Sequence, residues 1–421
     1  MKKGLKVCLI VLAAIVILYV AGMIANIICN VKLRAFIKTF EPVKYEANRV
    51  VPEKIGDHYT ITVDGDLRIM QLTDIHIGGG FWTYKNDKKT IYEVISMLQK
   101  EAPDVVVLTG DNTYCLPGFG YNGGFTSNNI MVAKTFITIF DHEGVYFTTV
   151  FGNHDTEALD YAGRAKVGAL YESDFSNYCF FESEYSDKDA KTVPSVTNQI
   201  IKIKNKDGKV VKLLLLIDSN AYQTTGLISS IKGQYDVIHD AQVDWAKEEI
   251  AKISKEEGLP DGEYLKALCF MHIPVGEYQK AREEVEGSSF ENTELISGDW
   301  NENVCYGGLH DDSKTPVNQD KFFEVMCEET HAVEAIFCGH DHVNDAVLTY
   351  KGVLLSYGYS LDNEAYGDKI MYSGLQRGAT VITVNEDGSL SQQHKNAYLD
   401  YGVDQNKFVE VYLDRKLYPE N

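Results

Sequence analysis

Short apolar runs that alternate with helical segments constrain the fold of this chain more than any other feature. Five runs have the length and composition of buried strands; they span residues 69–72, 105–108, 146–151, 267–270 and 335–338. Segments with helical periodicity separate several of them, for example residues 90–100 and 129–140. Strands and helices in alternation predict a layered α/β fold. The 421 residues, 44% of them hydrophobic, supply a large buried core and exclude a disordered chain.

Further segments extend this pattern on both sides. Residues 58–63 and 67–72 flank an Asp-Gly turn, which predicts a β-hairpin that opens the domain. Strand-like runs follow near the C-terminus, at residues 346–349, 353–356 and 380–384. Residues 180–200 and 276–318 are long and polar, which predicts two surface insertions.

A polar cluster follows each of the five apolar runs directly. The clusters contain Asp74 and His76; Asp111; Asn153, His154 and Asp155; His272; and His340 and His342. In open α/β sheets, ligands bind beyond the carboxyl ends of the strands, so the clusters meet at one site if their strands share a sheet. Imidazole, carboxylate and amide ligands together suit Mn, Fe or Zn. Asp111 is placed to bridge two metal ions, because a carboxylate has two acceptor oxygens.

The order of these motifs resembles that of the calcineurin-like metallophosphoesterase superfamily, in the branch near the purple acid phosphatases. The motifs read Asp-x-His, Gly-Asp-Asn, Gly-Asn-His-Asp, His and Gly-His-x-His, and the resemblance runs from about residue 58 to about residue 385. It implies a four-layer α/β/β/α sandwich, in which helices flank two mixed sheets. It also implies a binuclear site for two divalent metal ions.

The resemblance also implies a role for each residue of the clusters. The first metal would be bound by Asp74, His76, Asp111 and His342, and the second by Asp111, Asn153, His272 and His340. Asp111 would bridge the two ions. His154 would be the catalytic histidine that binds no metal, and Asp155 would orient its ring.

One position departs from the purple acid phosphatase pattern. Tyr114 stands three residues after Asp111, where those enzymes have a tyrosinate ligand, but they have glycine where this chain has His76. We therefore expect Tyr114 to line the pocket without binding metal, since a hard phenolate competes poorly with an imidazole. We expect Arg377 to pair with the acidic body, and His310 is a weaker candidate for the pocket.

The implied activity is hydrolysis of a phosphate ester by a hydroxide that bridges the two metal ions, with a phosphomonoester as the preferred substrate. A phosphodiesterase or a pyrophosphate hydrolase that acts on nucleotides or lipid-linked substrates remains the alternative. A non-catalytic surface binding module is disfavoured, because no ligand of the family pattern is missing.

Residues 1–30 differ from the remainder of the chain. Residues 7–25 form 19 positions without a strongly polar group, which is long enough to cross a bilayer as a helix. A cleaved signal peptide, a lipoprotein signal before Cys29 and a buried core helix fit less well, since the small residues a signal needs are misplaced and no amphipathic stripe is visible. Basic residues flank the run almost equally on both sides, and we expect the body outside the cytoplasm.

These observations divide the chain into three parts. We predict a membrane anchor at residues 1–30, a juxtamembrane stalk at 31–57 and a catalytic domain at 58–421, and we expect the domain to remain active without the anchor. The net charge of −21 argues against nucleic-acid binding, which needs a basic surface.

Overall fold

We analysed a computed structural model of the chain. It describes residues 2–45, 49–114, 126–156, 159, 161–186, 195–223, 234–308, 320–366, 377–404 and 407. His310, one of the sequence candidates, lies outside the described residues.

Two mixed β-sheets face each other at the centre of the molecule. The strands are β1 (Glu53–Ile55), β2 (His58–Thr62), β3 (Leu67–Leu72), β4 (Val105–Thr109), β5 (Phe147–Val150), β6 (Gln199–Lys204), β7 (Val210–Leu216), β8 (Ala267–Phe270), β9 (Thr293–Ser297), β10 (Val333–Cys338), β11 (Val347–Tyr350), β12 (Val353–Tyr357), β13 (Gly378–Val384) and β14 (Leu390–Asn396). One sheet has the order β14-β13-β3-β4-β5, and the other β1-β2-β6-β7-β8-β10-β12-β11-β9. Apolar side chains from both sheets, such as Ile69 and Phe270, fill the layer between them.

Helices cover the outer face of each sheet. They are α1 (Lys2–Ile37), α2 (Tyr84–Glu101), α3 (Thr126–Glu143), α4 (Tyr161–Tyr171), α5 (Asp240–Glu256) and α6 (Glu277–Glu286), and a short π-helix spans Glu324–Glu329. The first four pack on the five-stranded sheet in one apolar cluster. The later helices pack on the nine-stranded sheet in another. The predicted four-layer α/β/β/α sandwich is therefore confirmed.

The carboxyl ends of five parallel strands bring the polar clusters together. The strands β3, β4 and β5 are parallel neighbours in one sheet, and β8 and β10 are parallel neighbours in the other. The clusters therefore come from two sheets, whereas the sequence predicted that they meet if their strands share one sheet. They still meet, because the two sheets face each other and hydrogen bonds join the loops. For example, the main-chain N–H of His340 donates to the Asp74 carboxylate (3.1 Å).

The predicted hairpin of residues 58–63 and 67–72 is wrong. The strand β2 pairs with β1 and β6 in the nine-stranded sheet, and β3 pairs with β13 and β4 in the five-stranded sheet. The Asp64-Gly65 turn therefore carries the chain from one sheet to the other. Both strands face the same apolar layer, where Ile61 and Ile69 are fully buried, and that burial replaces hairpin pairing.

The two predicted insertions contain regular structure. The strand β6 begins at the end of residues 180–200, and residues 276–318 include α6 and the edge strand β9. The helix α6 was missed because its apolar surface is small: Tyr278 and Ala281 are its buried residues.

The helix α1 continues beyond the predicted end of the anchor at residue 30. It is long and apolar enough to cross a membrane, and residues 4–21 are exposed throughout. From Asn26 onwards, one stripe of the helix is buried against the domain: Asn26, Asn30, Leu33 and Ile37. The predicted stalk at residues 31–57 therefore contains the last turns of α1 and the strand β1.

Candidate metal centre

The loops after the five strands hold their polar side chains in an unusual backbone conformation. Four of the predicted ligands have positive φ angles: Asp74 (50°), His76 (55°), Asp111 (48°) and His340 (74°). Residues other than glycine adopt this region at a cost, and such strain concentrates at functional sites. Asp74, His76 and Asp111 are buried, where their charges are poorly solvated, and His340 is partly buried.

Glycines in the motifs allow the loops to approach one another. A Cβ atom on Gly152 would lie 2.1 Å from Asp111 Oδ1, and one on Gly339 would lie 1.9 Å from Thr73 Oγ1. Both distances are too short for any side chain. The Gly-Asn-His-Asp and Gly-His-x-His motifs therefore begin with glycine because adjacent loops occupy the space of a Cβ.

The first group of candidate ligands surrounds the carboxylates of Asp74 and Asp111. It contains Asp74, His76, Asp111 and His342, whose donor atoms lie within 4.8 Å of one another. The Nε2 atom of His76 is 3.3 Å from Asp111 Oδ2, and the Nε2 atom of His342 is 3.2 Å from Asp74 Oδ1. Two imidazoles and two carboxylates thus converge in the set predicted for the first metal.

The second group shares Asp111 with the first. It contains Asp111, His272 and His340, again with donor atoms within 4.8 Å. The Nε2 atom of His272 lies 3.1 Å from Asp111 Oδ2 and 3.2 Å from Asn153 Oδ1. Asn153 therefore adjoins this group with its amide oxygen, as the sequence predicts for the second metal.

Oxygen atoms lie beside the Nδ1 atoms of three histidines, as hydrogen-bond partners of His272 and His342 and as an ion-pair contact of His76. The Nδ1 atom of His272 lies 2.9 Å from the carbonyl oxygen of Thr109, to which it donates when protonated. Asp362 lies between two rings, with its oxygens 3.4 Å from His76 Nδ1 and 3.2 Å from His342 Nδ1. These contacts leave the Nε2 atoms directed at the carboxylates, which is how partners of the second ring nitrogen orient metal-binding histidines.

Asp362 was missed by the sequence argument. It follows β12, the parallel neighbour of β10, so the strand-end rule extends to it. Four residues separate it from the strand, and no motif marks it. Main-chain N–H groups of Glu364, Ala365 and Tyr366 donate to its carboxylate at 2.6–2.9 Å and hold it in place.

Arg377 supports the loop that carries Asp362. Its guanidinium is buried and donates to the carbonyl oxygen of Asp362 from Nε (3.1 Å) and Nη2 (2.8 Å), and it also reaches Tyr398 Oη (3.3 Å). The sequence predicted a salt bridge with the acidic body. Among the described residues, its hydrogen-bond partners are a carbonyl and a phenol, because the buried loop presents its backbone at this point.

His154 faces the two groups of ligands from the side of the opening. Its main-chain N–H donates to Asp111 Oδ1 (2.7 Å), and its Nε2 atom lies 4.0 Å from Asp111 Oδ2. Its side chain is 19% exposed, whereas those of His76 and His272 are fully buried. The ring of Tyr114 stacks on His76 and meets His154 edge-on, both at 4.9 Å, which places it against both rings at the pocket wall.

Asp155 stabilises the backbone of two loops. Its carboxylate accepts hydrogen bonds from the main-chain N–H of Gly152 (2.8 Å) and of Thr113 (3.0 Å), and from Asn112 Nδ2 (3.4 Å). The sequence predicted that it orients the His154 ring. The structure shows it acting on the loop backbone that carries Asn153 and His154, which supports the site through main-chain positions.

Neighbouring groups of opposite charge shift the pKa values of several carboxylates and histidines in the cluster. Burial opposes ionisation, but His272 and His154 hold the pKa of Asp111 well below its ordinary value. Burial likewise disfavours charged histidines, yet the nearby carboxylates raise the pKa values of His272 and His342 to about 9. His340 behaves differently: burial and the neighbouring His272 lower its pKa to about 3.

This arrangement fits two divalent cations. Buried carboxylates face ring nitrogens at 3.1–3.3 Å, so protons on the histidines occupy the positions that cations would take. The donor set mixes imidazole nitrogen with carboxylate and amide oxygen and is the set preferred by Mn, Fe and Zn. Asp111 belongs to both groups, and the same oxygen, Oδ2, faces His76 of the first and His272 of the second.

Comparison with known proteins agrees with this site. The family model of the calcineurin-like phosphoesterases matches residues 67–344, a span that includes both groups of ligands. The chain belongs to the calcineurin-like phosphoesterase family. It is accordingly a hydrolase of phosphate ester bonds, and the resemblance found in the motifs is confirmed.

Several curated proteins are similar over most of the chain. "Probable inactive purple acid phosphatase 29" of Arabidopsis thaliana is 24% identical over 361 residues, which cover 77% of this chain and 78% of that protein. "Phosphatase DCR2" of Saccharomyces cerevisiae is 26% identical over 315 residues, covering 70% of this chain and 48% of the yeast protein. Among solved structures, a dimetal phosphatase from Danio rerio matches with a TM-score of 0.44 at 11% identity, covering 79% of this chain and 97% of that one.

Proposed function

We propose that the protein hydrolyses phosphomonoesters at a centre of two divalent metal ions, Mn, Fe or Zn. The observation that carries this proposal is the complete set of buried ligands, in which Asp111 belongs to both groups. A carboxylate that belongs to both ligand groups would bind two cations at once, one in each group. The name of the yeast relative, a phosphatase, favours a monoester over a diester or a pyrophosphate.

The residues of the site would have different roles in such a reaction. Two bound cations would supply Lewis acidity and activate water for attack on phosphorus. Asp74, His76, Asp111 and His342 would hold one, and Asp111, Asn153, His272 and His340 the other. The ring of His154 lies 4.0 Å from the shared carboxylate and is partly exposed, and it would give a proton to the leaving oxygen.

The Arabidopsis relatives are named as probable inactive enzymes, which raises a non-catalytic binding module as the second candidate. Loss of activity in such a site would appear as a lost ligand or a collapsed cluster. Here the predicted ligands meet at 3.1–3.3 Å, and His154 stands beside them. The geometry therefore favours the active enzyme.

We also propose that α1 anchors the protein as a single span, with the domain outside the cytoplasm. The support is the apolar stretch of residues 4–21, whose side chains are exposed. Soluble proteins rarely expose so large an apolar surface to water. A phosphorylated small molecule or protein is the expected substrate.

An activity panel tests the proposed function. The full chain, purified in detergent, is stripped of metal, reloaded with Mn, Fe or Zn, and assayed on a monoester, a diester and a pyrophosphate. The proposal predicts the highest kcat/KM on the monoester, and no activity before reloading. Activity on the diester alone would support the alternative class. A fully loaded chain that hydrolyses none of the three would overturn the proposed phosphomonoesterase.

A further inference from the structure

The loop that directly follows the ligand His76 also touches the apolar helix. This loop, residues 78–82, has the sequence Gly-Gly-Gly-Phe-Trp, and we call it the aromatic loop. Asn30 on α1 donates from Nδ2 to the carbonyl oxygen of Gly79 (2.6 Å), and Asn26 accepts from the main-chain N–H of Phe81 (3.2 Å). Two buried asparagines therefore attach the loop to the helix.

The contact between loop and helix is tight. A Cβ atom on Gly79, where φ is +64°, would lie 2.9 Å from Asn30 Oδ1 and 2.8 Å from Val132 of α3. Thr135 of α3 donates to the same Asn30 Oδ1 (2.7 Å). The position of the loop relative to α1 is thus fixed by packing and by hydrogen bonds that would be costly to leave unmade in the interior.

The end of the loop carries an exposed aromatic pair. Phe81 is 42% exposed and Trp82 is 65% exposed, and their rings lie 4.4 Å apart. A pair of large apolar side chains held in water is unfavourable by the ordinary hydrophobic effect. Tryptophan is enriched at the interface between membrane and water, where its ring is half apolar and its N–H remains hydrated.

The aromatic pair lies beside the end of the exposed half of α1. Residues 4–21 are exposed, and at 1.5 Å per residue they span about 27 Å, close to the hydrocarbon thickness of a bilayer. Asn26, which contacts Phe81, follows five residues later, about 7 Å along the helix axis. If residues 4–21 lie in the bilayer, the aromatic pair lies at its interfacial layer.

Basic residues follow the aromatic pair directly. The helix α2 begins at Tyr84, and its first two turns carry Lys85, Lys88 and Lys89 in a chain of net charge −21. Lys89 pairs with Glu93 one turn further along the helix (3.9 Å), whereas the helix N-terminus itself disfavours cations and does not explain Lys85. Lys88 lies over the ring of Phe36 on α1 (4.7 Å), about 15 Å beyond Asn26 along the helix axis and therefore further from the membrane. Lys85 is exposed and stands three residues after Trp82, and an amine beside the aromatic pair suits the phosphates of a membrane surface.

We propose that the aromatic loop enters the interfacial layer of the same membrane that holds α1, so that the metal centre takes phosphate esters carried by that membrane. The substrate part rests on the proposed function. The loop begins two residues after His76, so a phosphate group at the membrane surface would stand close to the first group of ligands. Soluble esters would still enter from water, but without the local concentration that the membrane supplies.

Fluorescence quenching in liposomes tests the location of the loop. The full chain is reconstituted in phosphatidylcholine vesicles with and without lipids brominated near the headgroup, and compared with Trp82→Phe. The chain has three tryptophans, so the difference between the two proteins isolates Trp82. Bromolipid should quench this difference signal at least twofold. A difference signal that bromolipid leaves unchanged and aqueous iodide quenches would overturn the proposal.

Activity on two esters tests the substrate class. Wild type and Phe81→Ser/Trp82→Ser are assayed on phosphatidic acid in the vesicles and on soluble nitrophenyl phosphate. Leu295→Ser/Ile296→Ser is the matched control, because these residues are 37% and 54% exposed on the far edge of the other sheet. The loop variant should lose about tenfold on phosphatidic acid alone, and the control should lose nothing on either ester.

The two assays separate this inference from the proposed function. Equal loss on both esters, or none on phosphatidic acid, would overturn membrane presentation of the substrate. A wild-type chain that hydrolyses neither ester would overturn the proposed function and with it the substrate part, while the quenching of Trp82 would still decide where the loop lies.

Discussion

Single residues divide the site into those that bind metal and those that act beside it. His154 belongs to the second class, since its ring stands 4.0 Å from the shared carboxylate while its backbone N–H holds that carboxylate at 2.7 Å. His154→Ala should keep both metal ions, because no ligand is lost. Its kcat should fall roughly 10²–10⁴-fold, the usual contribution of a general acid.

The identity of the leaving group makes the His154 prediction specific. The loss should shrink for nitrophenolate, which departs without a proton, and remain full for an alkyl phosphate. His272→Ala is the comparison variant, since it should lose metal and activity on both esters. Metal analysis and rates on the two esters check this, and a His154→Ala protein that has lost metal would make His154 a ligand.

Asp362 acts through the two histidines that it contacts. Asp362→Asn keeps the size of the side chain but removes the charge beside His76 and His342. Metal affinity should fall about 10–100-fold, as it does when such partners are removed elsewhere. Because excess metal refills the site, kcat at saturating metal should recover most of its value. A metal titration of activity checks this, and an unchanged half-saturation concentration would show that Asp362 has no such role.

Metal binding should release protons. In the metal-free protein, the raised pKa values of about 9 keep His272 and His342 protonated at pH 7, and only neutral rings bind metal. Apparent affinity should therefore rise with pH up to about 9. His340 adds nothing to this release, since its pKa is lowered to about 3. Calorimetry at pH 7 in two buffers of different ionisation enthalpy should show more than one proton released per chain, and a release near zero would contradict this.

At the scale of elements, α1 has two halves with different functions. Deletion of residues 2–21 removes the exposed half of the helix and should yield a soluble chain with activity on a soluble ester unchanged. Deletion of residues 2–30 also removes Asn26 and Asn30, and leaves the carbonyl of Gly79 and the hydroxyl of Thr135 without these partners. Each buried group left unpaired costs about 1–3 kcal/mol.

The two deletions therefore differ in thermal stability and not only in solubility. The shorter deletion should melt within a few degrees of the full chain in detergent, and the longer one well below it. Equal melting temperatures would show that the docked half of α1 adds nothing to the domain. From the sequence alone, the domain is expected to remain active without residues 1–30, because nothing in the segment itself marks Asn26 and Asn30 as contacts with the domain.

Elements that depend on local sequence were predicted best. The strands β4, β8 and β10 each contain an apolar run of four residues, and such runs are typical of strands buried on both faces. The strand β2 was assigned to the wrong partner, since it pairs with β6, which lies about 140 residues further along the chain. Pairing at that distance leaves no signal in the segment itself, whereas an Asp-Gly turn leaves a strong one.

At the scale of the whole molecule, the site forms because two sheets face each other with their parallel strands ending at one edge. The ligand motifs were visible in the sequence because each stands directly after its strand. Asp362 was not visible in the same way, because four residues separate it from β12 and no motif contains it. Its position depends on a hydrogen bond from Arg377, which comes later in the chain. Contacts of this kind depend on the complete fold, so a single sequence does not reveal them.

The metal content of the protein tests the two-metal centre most directly, because both ions depend on the shared Asp111. Elemental analysis of the reloaded full chain should find two ions per chain, and Asp111→Asn should bind at most one and lose nearly all turnover. A wild-type chain that binds fewer than two ions, or an Asp111→Asn chain that binds two and keeps the wild-type rate, would contradict the two-metal centre.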